Sequence, residues 1–155
     1  MCNSANCSHF PPRPAKQELE KGAVLSPKFD SDGLIAAAVT DFDTGDLLMV
    51  GYMNAEALQR TIDSGEAWYW SRSRQEYWKK GGTSGQVQNV IEMRTDCDQD
   101  AIWLRVRVAG NGATCHVGYN SCFYRKIEKD ATGNTILTFA EAAPVYDPEE
   151  VYGKK

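Results

Sequence analysis

Long apolar runs are missing from this chain. Nothing in it approaches the roughly 18 residues that a membrane-spanning helix needs, and the first residues carry no charged-then-apolar export pattern. The expectation is a cytoplasmic protein with no membrane partner. Basic charge is not in excess either. Lys and Arg number 17 against 21 Asp and Glu, a net charge of -4, which is too few cations to track a nucleic-acid backbone. No nucleic-acid partner is expected, and a small molecule is favoured. The cysteines do not make an even set: five cannot all pair, and clustered thiols in a reducing compartment more often bind metal or do chemistry. No internal repeat is visible. What is present, 155 residues that are 42% hydrophobic and 25% charged, suits one globular domain.

Residues 1–16 are rich in Asn, Ser and Pro without periodicity and read as a flexible N-terminal arm, leaving 17–155 as a single domain with a short C-terminal tail. Cys2, Cys7 and His9 lie in that arm, where no scaffold is expected to fix them as metal ligands. The apolar run at 34–39, the Asp-Thr-Gly-Asp turn at 43–46 and LLMVGYM after it predict a hairpin. Asn54 is placed to cap a helix over 55–63, with Leu58, Thr61 and Ile62 on one face and Gly65 ending it. Strands are expected at 67–73, 87–93, 101–108 and 135–139. In the third of these Ile102, Leu104, Val106 and Val108 alternate with polar or bulky neighbours at the period of a half-buried strand. The tail beyond carries no readable motif. The fold class that follows is α+β, predominantly β, a compact sheet-like or barrel-like domain with one main helix.

Three constellations carry chemistry. In Asp96-Cys97-Asp98-Gln99-Asp100 three carboxylates alternate just before an apolar strand. On an extended segment they share the side of Ile102 and Leu104, with Cys97 opposite, and their mutual repulsion calls for an oxygen-seeking cation such as Mg2+. An EF-hand loop is excluded, because Ala101 stands where its Gly belongs and Arg107 where its bidentate Glu belongs. A solvated acidic turn is the bland alternative. The second constellation is Cys97, Cys115 and Cys122, spaced C-x17-C-x6-C, with His116 following the middle cysteine. Three sulfurs suit Zn2+ with a fourth position left for water, although a closed structural site completed by His116, or three buried free cysteines, would show the same spacing. His116, the one histidine outside the arm, is a candidate proton carrier beside such a metal. The third is WSRSR at 70–74 followed by WKKGGTSG at 78–85. There, Gly-freed backbone N–H groups, hydroxyls and cations are what a phosphate needs, without the residue order of a Walker loop.

The segments WYWSRSRQEYWKKGGTSGQVQNV, RTDCDQDAIWLRV and ATCHVGYNSCFYR together resemble the phosphoribosyl-AMP cyclohydrolase family of histidine biosynthesis, over residues 34–125. One departure is a stretch at 109–114 about two residues longer than usual, which lengthens a turn. The resemblance implies Mg2+ on Asp96, Asp98 and Asp100, Zn2+ on Cys97, Cys115 and Cys122, and a catalytic role for His116. It also implies an intertwined homodimer whose zinc ligands come from both subunits. The implied reaction is hydrolytic opening of the adenine ring at N1–C6 of the N1-phosphoribosylated nucleotide, with Arg72, Arg74, Lys80, Thr83 and Ser84 as candidates for its two phosphates. A fused pyrophosphatase domain, carried by some relatives, is not expected in a chain of this length. The pattern H-x-E with P-C-x-x-C of zinc base deaminases is absent. A zinc-stabilised binding module without catalysis is the reading from another class.

Overall fold

Small and β-branched residues at IAAAVTD let strand β1 (Ile35–Asp41) sit at the middle of a sheet, with Ile35, Ala37 and Val39 buried in alternation. The computed structural model, which describes residues 9–153, pairs β1 antiparallel with β2 (Leu47–Met53) through the expected hairpin. Asp41 shapes that turn: its carboxylate accepts from the N–H groups of Asp43 (2.8 Å) and Thr44 (2.9 Å). Before the hairpin lies α1 (Lys16–Lys21), a short helix in a stretch for which no element is expected.

Helix α2 (Ala55–Ser64) begins where expected, the Asn54 side chain accepting from the Ala57 N–H at 2.9 Å, and ends at Gly65 in the left-handed region. It is the only helix longer than two turns among the described residues. Its buried face is Ala55, Ala57, Leu58 and Thr61; Ile62, expected on that face, falls at the edge of this arc and is exposed. Thr61 ties the helix forward, its hydroxyl donating to the Ala57 carbonyl and accepting from the Trp68 N–H.

A second hairpin follows, β3 (Trp68–Ser71) against β4 (Glu76–Lys79). The chain then returns to the main sheet as β5 (Gln88–Thr95) and β6 (Ala101–Val108). Strand β6 runs parallel to β1 and antiparallel to β5, for a strand order β2-β1-β6-β5. Ile102, Leu104 and Val106 are buried as the period-two pattern predicts. Tyr69, fully buried, packs between the second hairpin and the sheet: its hydroxyl donates to Gln88 Oε1 at 2.6 Å, and its ring passes so close to Gly51 that a Cβ there would lie 2.7 Å away. A third hairpin, β7 (Arg125–Lys129) with β8 (Thr135–Phe139), stands apart, and a last helix α3 (Pro148–Tyr152) closes the described chain. The fold is α+β and mainly β. It is not a barrel: β2 and β5 are the edges of an open four-stranded sheet and do not pair, and the other strands form two separate hairpins.

Candidate active site

The connection from β5 to β6 is a tight turn, so the extended geometry expected for residues 96–100 does not form. Asp96 bends the chain, one carboxylate oxygen accepting from the N–H groups of Asp100 (3.0 Å) and Ala101 (3.1 Å), and Gln99 takes a left-handed φ of 55°. The consequence corrects the parity expectation. Asp96, Asp98 and Asp100 point to solvent rather than to the side of Ile102 and Leu104, yet their oxygens lie within 4.8 Å of one another. Burial pushes Asp96 upward, but hydrogen bonds with Asp100, Ala101 and Asp98 hold its carboxyl below the usual range. Asp100 is pushed up by sharing hydrogen bonds with Asp96 and Asp98. Three oxygen donors converging at this range match a hard cation.

Gln99 itself is buried and latches the turn to the preceding chain. Its Oε1 accepts from the Ser26 N–H (2.7 Å), its amide donates to the Val24 carbonyl (3.2 Å), and its own carbonyl accepts from the Lys28 N–H (2.7 Å). Arg13, in the segment read as arm, donates to the carbonyls of Ser26 and Asp98. His9 pairs with Glu56 at 2.9 Å; Cys2 and Cys7 lie outside the described residues.

Two of the three cysteines meet. In the loop after β6, Cys115 is buried and shares a hydrogen bond with Cys122. The bond holds the Cys115 thiol down, to about 6, aided by the Val117 N–H and the nearby charges of His116 and Lys80, and it pushes Cys122 up. The loop is anchored to the sheet where the Cys122 N–H donates to the Leu48 carbonyl at 2.7 Å. Beside Cys115, the buried Thr114 hydroxyl has no partner among the described residues. Cys97 sits exposed on the acidic turn and does not join them. Among the described residues the three aspartates are the only acidic, cysteine or histidine trio that converges this closely.

Beside the cysteine pair opens a cleft of about 830 Å³, lined by Arg74, Trp78, the Gly-rich segment 79–84, His116 and Val117. Four of the five phosphate candidates, Arg74, Lys80, Thr83 and Ser84, therefore face one space together with His116. Arg72 does not: its guanidinium lies 4.0 Å from the centre of the Tyr52 ring, because the turn between β3 and β4 sends it to the other side from Arg74. Gly81 holds a left-handed φ of 86° where any Cβ would meet the Val87 nitrogen at 2.3 Å, which brings the loop against the chain leading into β5. The tail, expected to carry no motif, supplies the rest of the lining through Pro148, Glu149, Tyr152 and Gly153 of α3 and its cap. Its signal was local: Asp147 before Pro148 with Glu149 and Glu150 after is a helix-start pattern, and the Asp147 side chain indeed accepts from the Glu149 N–H.

A family model described as phosphoribosyl-AMP cyclohydrolase matches residues 49–124, a span that holds the acidic turn, the cysteine loop and the Gly-rich segment but not α3. Relatives named phosphoribosyl-AMP cyclohydrolase agree over nearly the whole chain. One from Rhodopseudomonas palustris strain HaA2 is 56% identical over 99% of this chain and 100% of its own length. Another from Bradyrhizobium diazoefficiens is 55% identical over 88% of this chain and 96% of its own. A third from Nitrobacter hamburgensis is 49% identical over 94% and 97%. With identity this high across both partners' lengths, and with the motifs gathered around one cleft, the chain belongs to the phosphoribosyl-AMP cyclohydrolase family.

Proposed function

We propose that this protein hydrolyses the N1–C6 bond of phosphoribosyl-AMP in histidine biosynthesis, in the cytoplasm, where its thiols stay reduced. The observation that carries the reading is the single cleft that gathers a cationic, glycine-rich loop and His116 next to the Cys115–Cys122 pair. In that cleft Arg74, Lys80, Thr83 and Ser84 bind phosphate oxygens, the fork of Arg74 and the charge of Lys80 supplying attraction and the hydroxyls direction. Water adds to C6, a C–O bond forms, the N1–C6 bond breaks, and N1 takes up a proton. His116 carries that proton from the attacking water to the departing nitrogen. A binding module without catalysis gives no reason for the histidine to share a cleft with the phosphate loop.

The donor set fits two metals. Cys115, whose thiol is held down toward thiolate, and Cys122 beside it suit Zn2+, which when bound would supply Lewis acidity to water and to the ring. Asp96, Asp98 and Asp100 suit Mg2+, whose charge offsets theirs. Because Cys97 stands apart from the other two sulfurs, the third sulfur for each site is Cys97 of the partner subunit in a homodimer. Exposed apolar side chains near the cysteine loop and on the third hairpin, Phe123, Ile127 and Phe139, support such an assembly.

The test is to give purified full-length protein phosphoribosyl-AMP and follow ring opening by ultraviolet absorbance. Turnover is expected, lost with a chelator and regained with Zn2+, and His116→Ala is expected to reduce it roughly 10²- to 10⁴-fold in folded, zinc-loaded protein. A fully metallated wild-type preparation that leaves the nucleotide intact overturns the reading.

A further inference from the structure

Residues 144–153 lie outside the span matched by the family model, yet they are fastened to the cysteine loop at several points. The Val145 N–H donates to the Gly118 carbonyl at 2.7 Å, and the Tyr146 hydroxyl donates to the Cys115 carbonyl at 3.1 Å. Gly118, at a left-handed φ of 98°, leaves no space between the two segments: a Cβ there would meet the Tyr146 carbonyl oxygen at 2.3 Å. From this anchor Asp147 caps α3, and the short helix presents Glu149 and Tyr152 to the cleft that Trp78 on β4 also lines.

The chemistry of this wall differs from that of the Gly-rich loop. Arg74, Lys79 and Lys80 attract phosphate, whereas Glu149, the one carboxylate lining the cleft among the described residues, repels it. What remains for the tail to meet is the heterocycle. Tyr152 is 42% exposed although aromatic, the condition of a ring that has a free face to offer. Besides the His116 imidazole, Trp78 is the other aromatic ring of the lining, so a planar base entering the cleft has aromatic surface available from β4 as well as from α3.

We propose that the C-terminal segment 144–153 forms the base-side wall of the substrate cleft, with Tyr152 stacking on the purine and so setting affinity for it. This rests on the cleft being the nucleotide site proposed above and adds a binding residue that the family model's span does not contain.

The test compares full-length wild type, Tyr152→Ala and Tyr152→Phe, with AMP as a non-reacting probe in calorimetry and phosphoribosyl-AMP as substrate. Tyr152→Ala is expected to weaken AMP binding and raise KM by roughly five- to tenfold, with kcat falling less than KM rises, and Tyr152→Phe to stay within about twofold of wild type, since base–aromatic stacking needs the ring alone. The exposure of Tyr152 makes misfolding of either variant a small risk, and circular dichroism checks it. Wild-type turnover with unchanged KM and AMP affinity in Tyr152→Ala overturns the stacking role and leaves the cyclohydrolase reading standing. Equal losses in Ala and Phe also overturn it, assigning the effect to the hydroxyl. AMP binding that responds to Tyr152→Ala in a protein that never opens the ring supports the wall and defeats the reaction.

Discussion

Gln99 shows how a single residue sets the geometry of the acidic turn. A non-glycine residue at a φ of 55° costs about 1 kcal/mol or more, and here the buried amide offsets it by serving the Ser26 N–H and the Val24 carbonyl. Truncation leaves the Ser26 donor buried without a partner. Gln99→Ala should therefore lower the unfolding free energy by about 2 kcal/mol in urea titration, and Gln99→Gly, which relieves the backbone, by about 1 kcal/mol less than that. An Ala variant with the wild-type midpoint would mean that the latch adds nothing to stability. At this scale much was legible. The alternating aspartates and the cysteine followed by histidine stand out by donor type alone, and the structure gathers the three carboxylates and lines the cleft with His116. Gln99 was not legible, because its partners lie more than seventy residues away.

At the scale of elements, β5 and β6 are stitched across their exposed face by Glu92, which pairs with Arg94 on its own strand and with Arg105 on the next. Hydrogen bonds from Arg94 and then Arg105 hold the Glu92 carboxyl below its ordinary value of 4.5. A carboxyl lowered on folding contributes stability that is complete above that value and is lost as pH falls through the folded one. Glu92→Gln should accordingly melt about 1–2 °C below wild type near neutral pH, with the gap closing as pH falls below that ordinary carboxyl value. A gap independent of pH would show that the charge plays no part. Among the elements, β1, β2, α2, β6 and β8 announce themselves by period and punctuation. Strand β7 does not, since RKIEK is exposed at every position and owes its extended form to pairing with β8. Helix α3 is short enough that its Asp-Pro start was the only cue.

The proposed assembly makes a prediction at the scale of the whole molecule. If each zinc site takes Cys97 from one subunit and Cys115 with Cys122 from the other, Cys97→Ser and Cys115→Ser are each inactive as homodimers. A mixed dimer, however, keeps one intact site of its two. Subunits mixed in equal amounts and allowed to exchange should recover about a quarter of wild-type activity per protein, since half the dimers are mixed. No recovery, with exchange verified by mass, would place all three sulfurs in one chain, whereas a Cys97→Ser homodimer that is active by itself would remove Cys97 from the site.

Donor inventory and local periodicity are properties of short stretches, and for these the amino-acid order sufficed: where thiols, carboxylates, glycines and cations cluster, a capped helix and alternating strands. Which of those groups meet was decided by packing. Cys115 finds Cys122 but not Cys97, Arg74 enters the cleft while Arg72 turns to Tyr52, and the tail folds back across the cysteine loop to complete the cleft. Such meetings depend on turn geometry and on contacts between residues distant in the chain, where a difference of one residue in a loop redirects a side chain and no local pattern records the outcome.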